Sequence, residues 1–136
     1  MPTPLARLRP WLKRTRSTGR RGERAAARFL KTQGYRICGR NLRNRFGEID
    51  LLAQTPDQKT MVIVEVKAGR RNAAFAPEVH VTRDKQHRLV ALAAQCARRY
   101  RLTRCPWRFD VVAVEFPTNS GKPTIRHHRN AFESPY

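Results

Sequence analysis

The segment Thr60–Lys67 constrains the fold of this 136-residue chain more than any other. Its residues, Thr-Met-Val-Ile-Val-Glu-Val-Lys, form the strongest strand pattern in the sequence. Side chains of a strand alternate between its two faces. One face therefore carries Met61, Ile63, Glu65 and Lys67, and the other carries Val62, Val64 and Val66. The pattern predicts a buried strand with a carboxylate and an ammonium side by side at its end.

A second strand is predicted just before it, over Glu48–Ala53. The residues between the two strands, Thr55-Pro56-Asp57-Gln58, are typical of a turn. The two strands should therefore pair as an antiparallel hairpin. Further strands are predicted at Tyr35–Arg40 and Arg108–Phe116, with a weaker one at Thr124–His128.

Two helices are predicted around these strands. The first runs from Gly19 to about Gln33 and is stopped by Gly34. A loop containing Gly69 and Pro77 comes before the second, which begins after the capping residue Thr82 and ends near Tyr100. Gln86 and Leu89 lie on its inward stripe.

The order of these elements, α-β-β-β-α-β, predicts an α/β layered domain with a mixed sheet flanked by helices. The length fits one domain. We expect residues 1–18 to form a basic, partly disordered arm and residues 19–136 to form the domain.

The charge of the chain indicates its partner. It has 29 Lys and Arg against 10 Asp and Glu, a net charge of +19. Such an excess predicts binding to nucleic acid. No run of apolar residues approaches the ~18 of a membrane span, which excludes an integral membrane protein. The three cysteines are widely spaced, which indicates reduced thiols and a cytoplasmic protein.

The candidate site combines carboxylates from the hairpin. Glu48, Asp50 and Leu52 share a face, and the hairpin can bring Asp50 close to Glu65. Carboxylates there are costly unless they pair or bind a metal, and Mg²⁺ favours such oxygens. Lys67 could then orient a water molecule and stabilise charge on a phosphate. The alternative is structural: an ion pair of Glu65 with Lys67, or of Asp50 with a nearby Arg.

The two helices add one candidate each. Glu23 lies on the face of the first helix that should turn inward, where it could hold a water or a second metal. It could equally be an acid favoured by the helix dipole. Gln86 could hydrogen-bond a nucleophile or a phosphate oxygen.

Several motifs together resemble the YraN family of small uncharacterised bacterial proteins. They are Gly22-Glu23 with Ala26, Gly34-Tyr35, Arg40-Asn41, Gly47-Glu48-Ile49-Asp50-Leu51, Val64-Glu65-Val66-Lys67, Lys85-Gln86 with Arg88-Leu89, Arg108-Phe109-Asp110-Val111 and Asn130-Ala131-Phe132. The match covers about residues 19 to 133.

That family is similar in fold to the PD-(D/E)XK restriction-endonuclease-like superfamily and, within it, to archaeal Holliday-junction resolvases. The resemblance implies a three-layer nuclease fold and a Mg²⁺- or Mn²⁺-dependent phosphodiesterase acting on DNA, including branched DNA. It implies Glu23, Asp50 and Glu65 as metal ligands, with Lys67 also catalytic, and it allows a homodimer.

Three positions depart from the resemblance. Ile49 stands where the superfamily has Pro, the Arg that usually follows the lysine is moved by one in Ala68-Gly69-Arg70, and Ala76 replaces a usual Gly. None removes a metal ligand, so they bear on loop geometry and substrate choice.

Two other functions stay open. One is a catalytically inactive nucleic-acid-binding module that keeps the nuclease fold. The other is a small basic RNA-binding protein, which should expose aromatic side chains for base stacking. Only Phe46, Phe75 and Trp107 are candidates for that role, and all could be core residues.

Overall fold

A six-stranded mixed sheet forms the centre of the protein. The structure, a computed structural model, describes residues 13–14, 20–70 and 81–132. The strands lie in the order β1 to β6, at Lys13–Arg14, Arg36–Asn44, Gly47–Gln54, Met61–Arg70, Trp107–Phe116 and Thr124–His128. The helices are α1, Arg20–Thr32, and α2, Arg83–Arg99.

Each face of the sheet is covered by one helix. On one face, Ala26, Ala27 and Leu30 of α1 belong to a buried cluster with Val62 and Val64 of β4. Burying a Leu or Val side chain contributes about 1.5–3 kcal/mol. These contacts attach α1 firmly to the sheet.

The opposite face is covered by α2. Leu89, Leu92 and Cys96 of this helix belong to a second buried cluster, which includes Met61 and Ile63 of β4. The alternation predicted for this strand is therefore confirmed, and Glu65 shares the face of Ile63 that α2 covers. The protein has the three-layer α/β fold of restriction-endonuclease-like domains, as predicted.

The position of β4 between β3 and β5 explains why it is so apolar. β3 and β4 form the predicted antiparallel hairpin, with Leu51 opposite Val64. β4 and β5 run parallel from Met61 opposite Trp107 to Arg70 opposite Phe116, and α2 lies in the connection between them. This pairing also corrects one expectation: Gly69 is part of β4 rather than of a loop, because β5 continues beside it.

The other predicted elements are present with small changes of length. Thr82 caps α2, where its hydroxyl accepts a hydrogen bond from the backbone N–H of Lys85 at 3.2 Å. β2 is longer than the predicted Tyr35–Arg40, because pairing with β3 extends it to Asn44.

The predicted arm is only partly described. Lys13–Arg14 pair with β2, and residues 1–12 and 15–19 lie outside the described residues, as does Pro77. The division into an arm and a domain stays a prediction. No helix among the described residues is long and apolar enough to cross a membrane.

Candidate active site

Asp50 and Glu65 meet where the paired part of the β3–β4 hairpin ends. The register of the hairpin runs from Gln54 opposite Met61 to Leu51 opposite Val64. Beyond that pair, the side chain of Asp50 links the strands, because its Oδ2 accepts a hydrogen bond from the backbone N–H of Val66 at 2.9 Å. The hairpin thus brings the two predicted carboxylates together.

The electrostatics of Asp50 show that negative charges crowd this point. The pKa of Asp50 is raised to about 7, first by burial and next by the negative charge of Glu65. Glu23 raises this pKa further, whereas the N–H of Val66 and the charge of Lys85 lower it. Such a group of carboxylates favours a bound cation.

Glu65 is held by two ammonium groups. It is buried, with only 7% of its side chain exposed. Its Oε1 contacts Nζ of Lys85 from α2 and lies 3.8 Å from Nζ of Lys67. The side chains of the lysines are 28% exposed for Lys67 and 38% exposed for Lys85. The ion pair of Glu65 with Lys67, one of the two structural alternatives, is therefore present, with Lys85 as the nearer partner.

Glu23 approaches the same point from the α1 side of the sheet. It lies buried in the first turn of α1, where the helix dipole also favours an acid. The preceding Gly22 explains the approach, since a Cβ at Gly22 would lie 2.3 Å from Cβ of Ala68. A glycine is needed there for α1 to pack so closely on β4, and this packing places Glu23 within electrostatic range of Asp50.

Gln86 does not join the carboxylates. Its Nε2 donates a hydrogen bond to the carbonyl oxygen of Val81 at 2.8 Å, which holds the segment that leads into α2. The residue of α2 that reaches the carboxylates is its neighbour Lys85, whose role the sequence did not reveal. The signal was available, because Lys85 lies four and seven residues before the buried Leu89 and Leu92 and so shares their face.

A cleft of about 220 Å³ lies over these groups. It is lined by Gly47, Glu48, Asp50, Glu65, Lys85, Arg88, Leu89 and Leu92. Among the described residues, no three His, Cys, Asp or Glu side chains stand close enough to form a metal cage by themselves. Mg²⁺ usually needs only one or two carboxylates and keeps several waters. The pair Asp50 and Glu65 fits that requirement, and their role as metal ligands stays a prediction.

The comparison with known proteins places this site in a family. A family model described as "Uncharacterised protein family UPF0102" matches residues 22–114. The matched stretch includes all of the predicted site residues, from Glu23 to Gln86. The chain belongs to the UPF0102 family. This confirms the resemblance to YraN.

UPF0102 relatives match nearly the whole chain. A UPF0102 protein of Symbiobacterium thermophilum is 46% identical over 120 residues, covering 88% of this chain and 99% of that protein. One of Trichlorobacter lovleyi is 42% identical over 124 residues, with 91% and 96% covered. One of Pelobacter propionicus is 40% identical over 121 residues, with 89% and 86% covered.

The stretch matched by the UPF0102 model also includes the turn between β2 and β3, which comes directly before Gly47 in the lining of the cleft. Phe46 in this turn is 39% exposed, so it is not a core residue. The guanidinium of Arg45 stacks over its ring, 4.7 Å from the ring centroid. Of the other aromatic candidates, Trp107 is half-buried and donates from Nε1 to the carbonyl oxygen of Leu102. Phe75 lies outside the described residues.

A separate polar cluster surrounds Asp110, which also lies in the matched stretch. Asp110 is buried and accepts hydrogen bonds from Arg108, at 2.7 and 2.8 Å, and from the backbone N–H of Asn130. Nε2 of His127 lies 2.7 Å from its Oδ2, and Arg108 also donates to the hydroxyl of Tyr35. The cluster ties β5, β6 and the chain after α1 together, so its role is structural.

Proposed function

We propose that this protein is a Mg²⁺- or Mn²⁺-dependent endonuclease that cleaves phosphodiester bonds in DNA, including branched DNA. One observation carries the proposal: Asp50 and Glu65 line the same cleft, and Lys67 and Lys85 lie within contact range of Glu65. Two carboxylates and a lysine at the end of a central hairpin can bind a metal ion and a phosphate group at the same time.

The carboxylates and the lysine have different roles in this proposal. Asp50 and Glu65 hold the cation, and Asp50 is oriented for this by the N–H of Val66. A bound divalent cation polarises a phosphoryl oxygen. Lys67, two residues beyond Glu65 on the same face of β4, places a positive charge where negative charge develops on the phosphate.

The substrate follows from the charge around the cleft. The net charge of +19 attracts a polyanion, and Arg88 adds a positive group to the wall of the cleft itself. Next to Gly47 of the cleft, the exposed ring of Phe46 offers a surface on which an unpaired base can stack. These features support a nucleic acid with unpaired segments as the substrate, and the choice of branched DNA follows from the resemblance to Holliday-junction resolvases.

The test is a cleavage assay on end-labelled single-stranded, duplex and four-way-junction DNA. Cleavage is expected with Mg²⁺ or Mn²⁺, is lost with EDTA, and is lost in Asp50→Asn. Lys59→Ala is a matched control, because Lys59 lies in the turn at the opposite end of the same hairpin. Equal cleavage by wild type and Asp50→Asn would show that the activity does not come from this site.

A second candidate is a catalytically inactive nucleic-acid-binding module. The observation that favours it is the contact between Lys85 and Glu65, which neutralises the buried carboxylate with the protein's own cation. This candidate predicts DNA binding with no cleavage and no change of melting temperature on addition of Mn²⁺. The nuclease predicts that both cleavage and the thermal response occur.

A further inference from the structure

Lys85 occupies the side of Glu65 that faces the cleft. Its ammonium contacts Oε1 of Glu65, and both residues line the cleft together with Asp50. Nζ of Lys67 lies 3.8 Å from the same oxygen, but Lys67 belongs to β4, the strand that also carries Glu65. Among the described residues, Lys85 is thus the positively charged side chain from outside the hairpin that contacts Glu65.

A lysine ammonium and a divalent cation compete for the same kind of ligand. Both are bound by carboxylate oxygens, and like charges a few ångströms apart repel each other. A cation that binds Oε1 of Glu65 would therefore lie beside the Lys85 ammonium unless the lysine moves away.

The structure allows that movement. The side chain of Lys85 is 38% exposed, and its four-carbon stem is flexible. The backbone of Lys85, in contrast, is fixed, because its N–H donates to the capping hydroxyl of Thr82. The ammonium can therefore leave Glu65 and enter the solvent without any change in α2.

We propose that Lys85 is a built-in competitor of the metal, which holds Glu65 in the metal-free protein and must be displaced before a divalent cation binds. Lys85 then sets the metal affinity of the site and acts as a positioning residue. This inference rests on the proposed metal site, and it goes beyond that site by assigning a role to a residue outside the ligand set.

The test compares Mn²⁺ binding to wild type, Lys85→Met and Arg88→Met by titration calorimetry. Arg88 lines the same cleft one turn further along α2, and its Nε points to the carbonyl oxygen of Asp84. Arg88→Met therefore removes the same charge from the same wall without removing the contact with Glu65. Lys85→Met should bind Mn²⁺ about tenfold more tightly than Arg88→Met.

A conservative variant and a second measurement keep the test decisive. Lys85→Arg retains a positive charge beside Glu65 and should bind Mn²⁺ no more tightly than wild type. In EDTA, Lys85→Met should melt below wild type, because the buried Glu65 loses the nearer of its two lysine partners. Adding Mn²⁺ should raise its melting temperature by more than that of wild type.

The outcomes separate this inference from the proposed function. If wild type binds Mn²⁺ and Glu65→Gln does not, but Lys85→Met binds no more tightly than Arg88→Met, the competitor role is wrong and the metal site stands. If none of the proteins binds Mn²⁺, both the inference and the nuclease are wrong. If Lys85→Met binds more tightly while no DNA is cleaved, the inference holds and the nuclease does not.

Discussion

The backbone N–H of Val66 donates a hydrogen bond of 2.9 Å to Oδ2 of Asp50, and this contact joins the two strands that carry the site. Val66 lies between Glu65 and Lys67 in the chain. Together with the register of the hairpin, this contact places Asp50 beside both residues. The same hydrogen bond lowers the pKa of the half-buried Asp50, but burial and the negative charge of Glu65 outweigh it and raise that pKa.

The first prediction concerns the pH dependence of stability without metal. The folded-state pKa of Asp50, about 7, lies above the unfolded value of 3.8. The folded state therefore binds more protons between these values, and its stability falls as pH rises through them. Asp50→Asn has no carboxyl group at this position, so its stability does not fall in this way. Between pH 4 and pH 8 in EDTA, its free energy of unfolding should rise by about 1–2 kcal/mol relative to that of wild type. Urea unfolding at each pH measures the difference.

Adding Mn²⁺ should make wild type the more stable of these two proteins. At pH 8, Mn²⁺ should stabilise wild type and leave Asp50→Asn unchanged, because a cation compensates the crowded carboxylates. A constant stability difference across the pH range, with no effect of Mn²⁺ on either protein, would contradict the role given to Asp50.

The second prediction concerns the cause of the raised pKa. After burial, the largest cause is the charge of Glu65, so Glu65→Gln should lower the pKa of Asp50. An NMR titration of the side-chain carboxyl carbon of Asp50 measures this directly. Glu48→Gln is the control, because Glu48 lines the same cleft but is exposed, and it should leave the pKa of Asp50 nearly unchanged.

The stability of Glu65→Gln is informative as well. The variant leaves Lys67 and Lys85 without their carboxylate, but both side chains keep access to water. Its cost in EDTA should therefore stay below the ~3–5 kcal/mol expected for a fully buried pair. A larger loss, with no response of either protein to Mn²⁺, would favour the inactive module.

The third prediction separates metal binding from turnover. Lys67→Ala keeps both carboxylates and should still bind Mn²⁺, but it removes a positive charge near the phosphate. Cleavage should fall about 10²-fold or more. Calorimetry with Mn²⁺ and single-turnover cleavage, each with Lys59→Ala as control, distinguish the two effects. Loss of metal binding in Lys67→Ala would show that the lysine supports the ligands instead.

The fourth prediction concerns the turn between β2 and β3. Phe46→Ala should lower affinity for single-stranded DNA by about 1–3 kcal/mol, the usual effect of losing one base-stacking side chain. Arg45→Ala should instead reduce the slope of log affinity against log salt by about 0.7 for single strands. Fluorescence anisotropy at several salt concentrations measures both. Equal effects of Phe46→Ala on duplex and single strands would argue against stacking.

The fifth prediction concerns the cluster around Asp110, outside the site. Burial opposes ionisation of Asp110, but hydrogen bonds from His127 and Arg108 outweigh it and lower the pKa of this carboxyl. Its contribution to stability is therefore complete above about pH 4 and is lost as pH falls further. Asp110→Asn should cost about 3–5 kcal/mol at pH 7, and the gap to wild type should narrow in acid. Chemical unfolding at pH 3 and pH 7 tests this.

Local patterns were sufficient to predict much of this protein. The alternation in Thr60–Lys67 depends only on strand geometry, so it correctly separated Val62 and Val64 from Met61 and Ile63. The turn residues after Ala53 and the cap at Thr82 are also local signals, and they correctly predicted the hairpin and the start of α2. No local signal reveals that β4 continues through Gly69, because its pairing partner in β5, Glu115, is more than 40 residues away in the chain.

Only the tertiary structure decided which side chain of α2 meets the carboxylates. The rotation of α2 against the sheet depends on all of its apolar contacts, and it turns Lys85 towards Glu65 while Gln86 binds the carbonyl oxygen of Val81. The raised pKa of Asp50 likewise depends on burial and on charges from three other elements. The sequence determined which residues lie on each face of a strand or helix, because side-chain directions follow the regular repeat of each element. Packing determined their partners, because contacts between distant segments set the electrostatic field at each carboxylate.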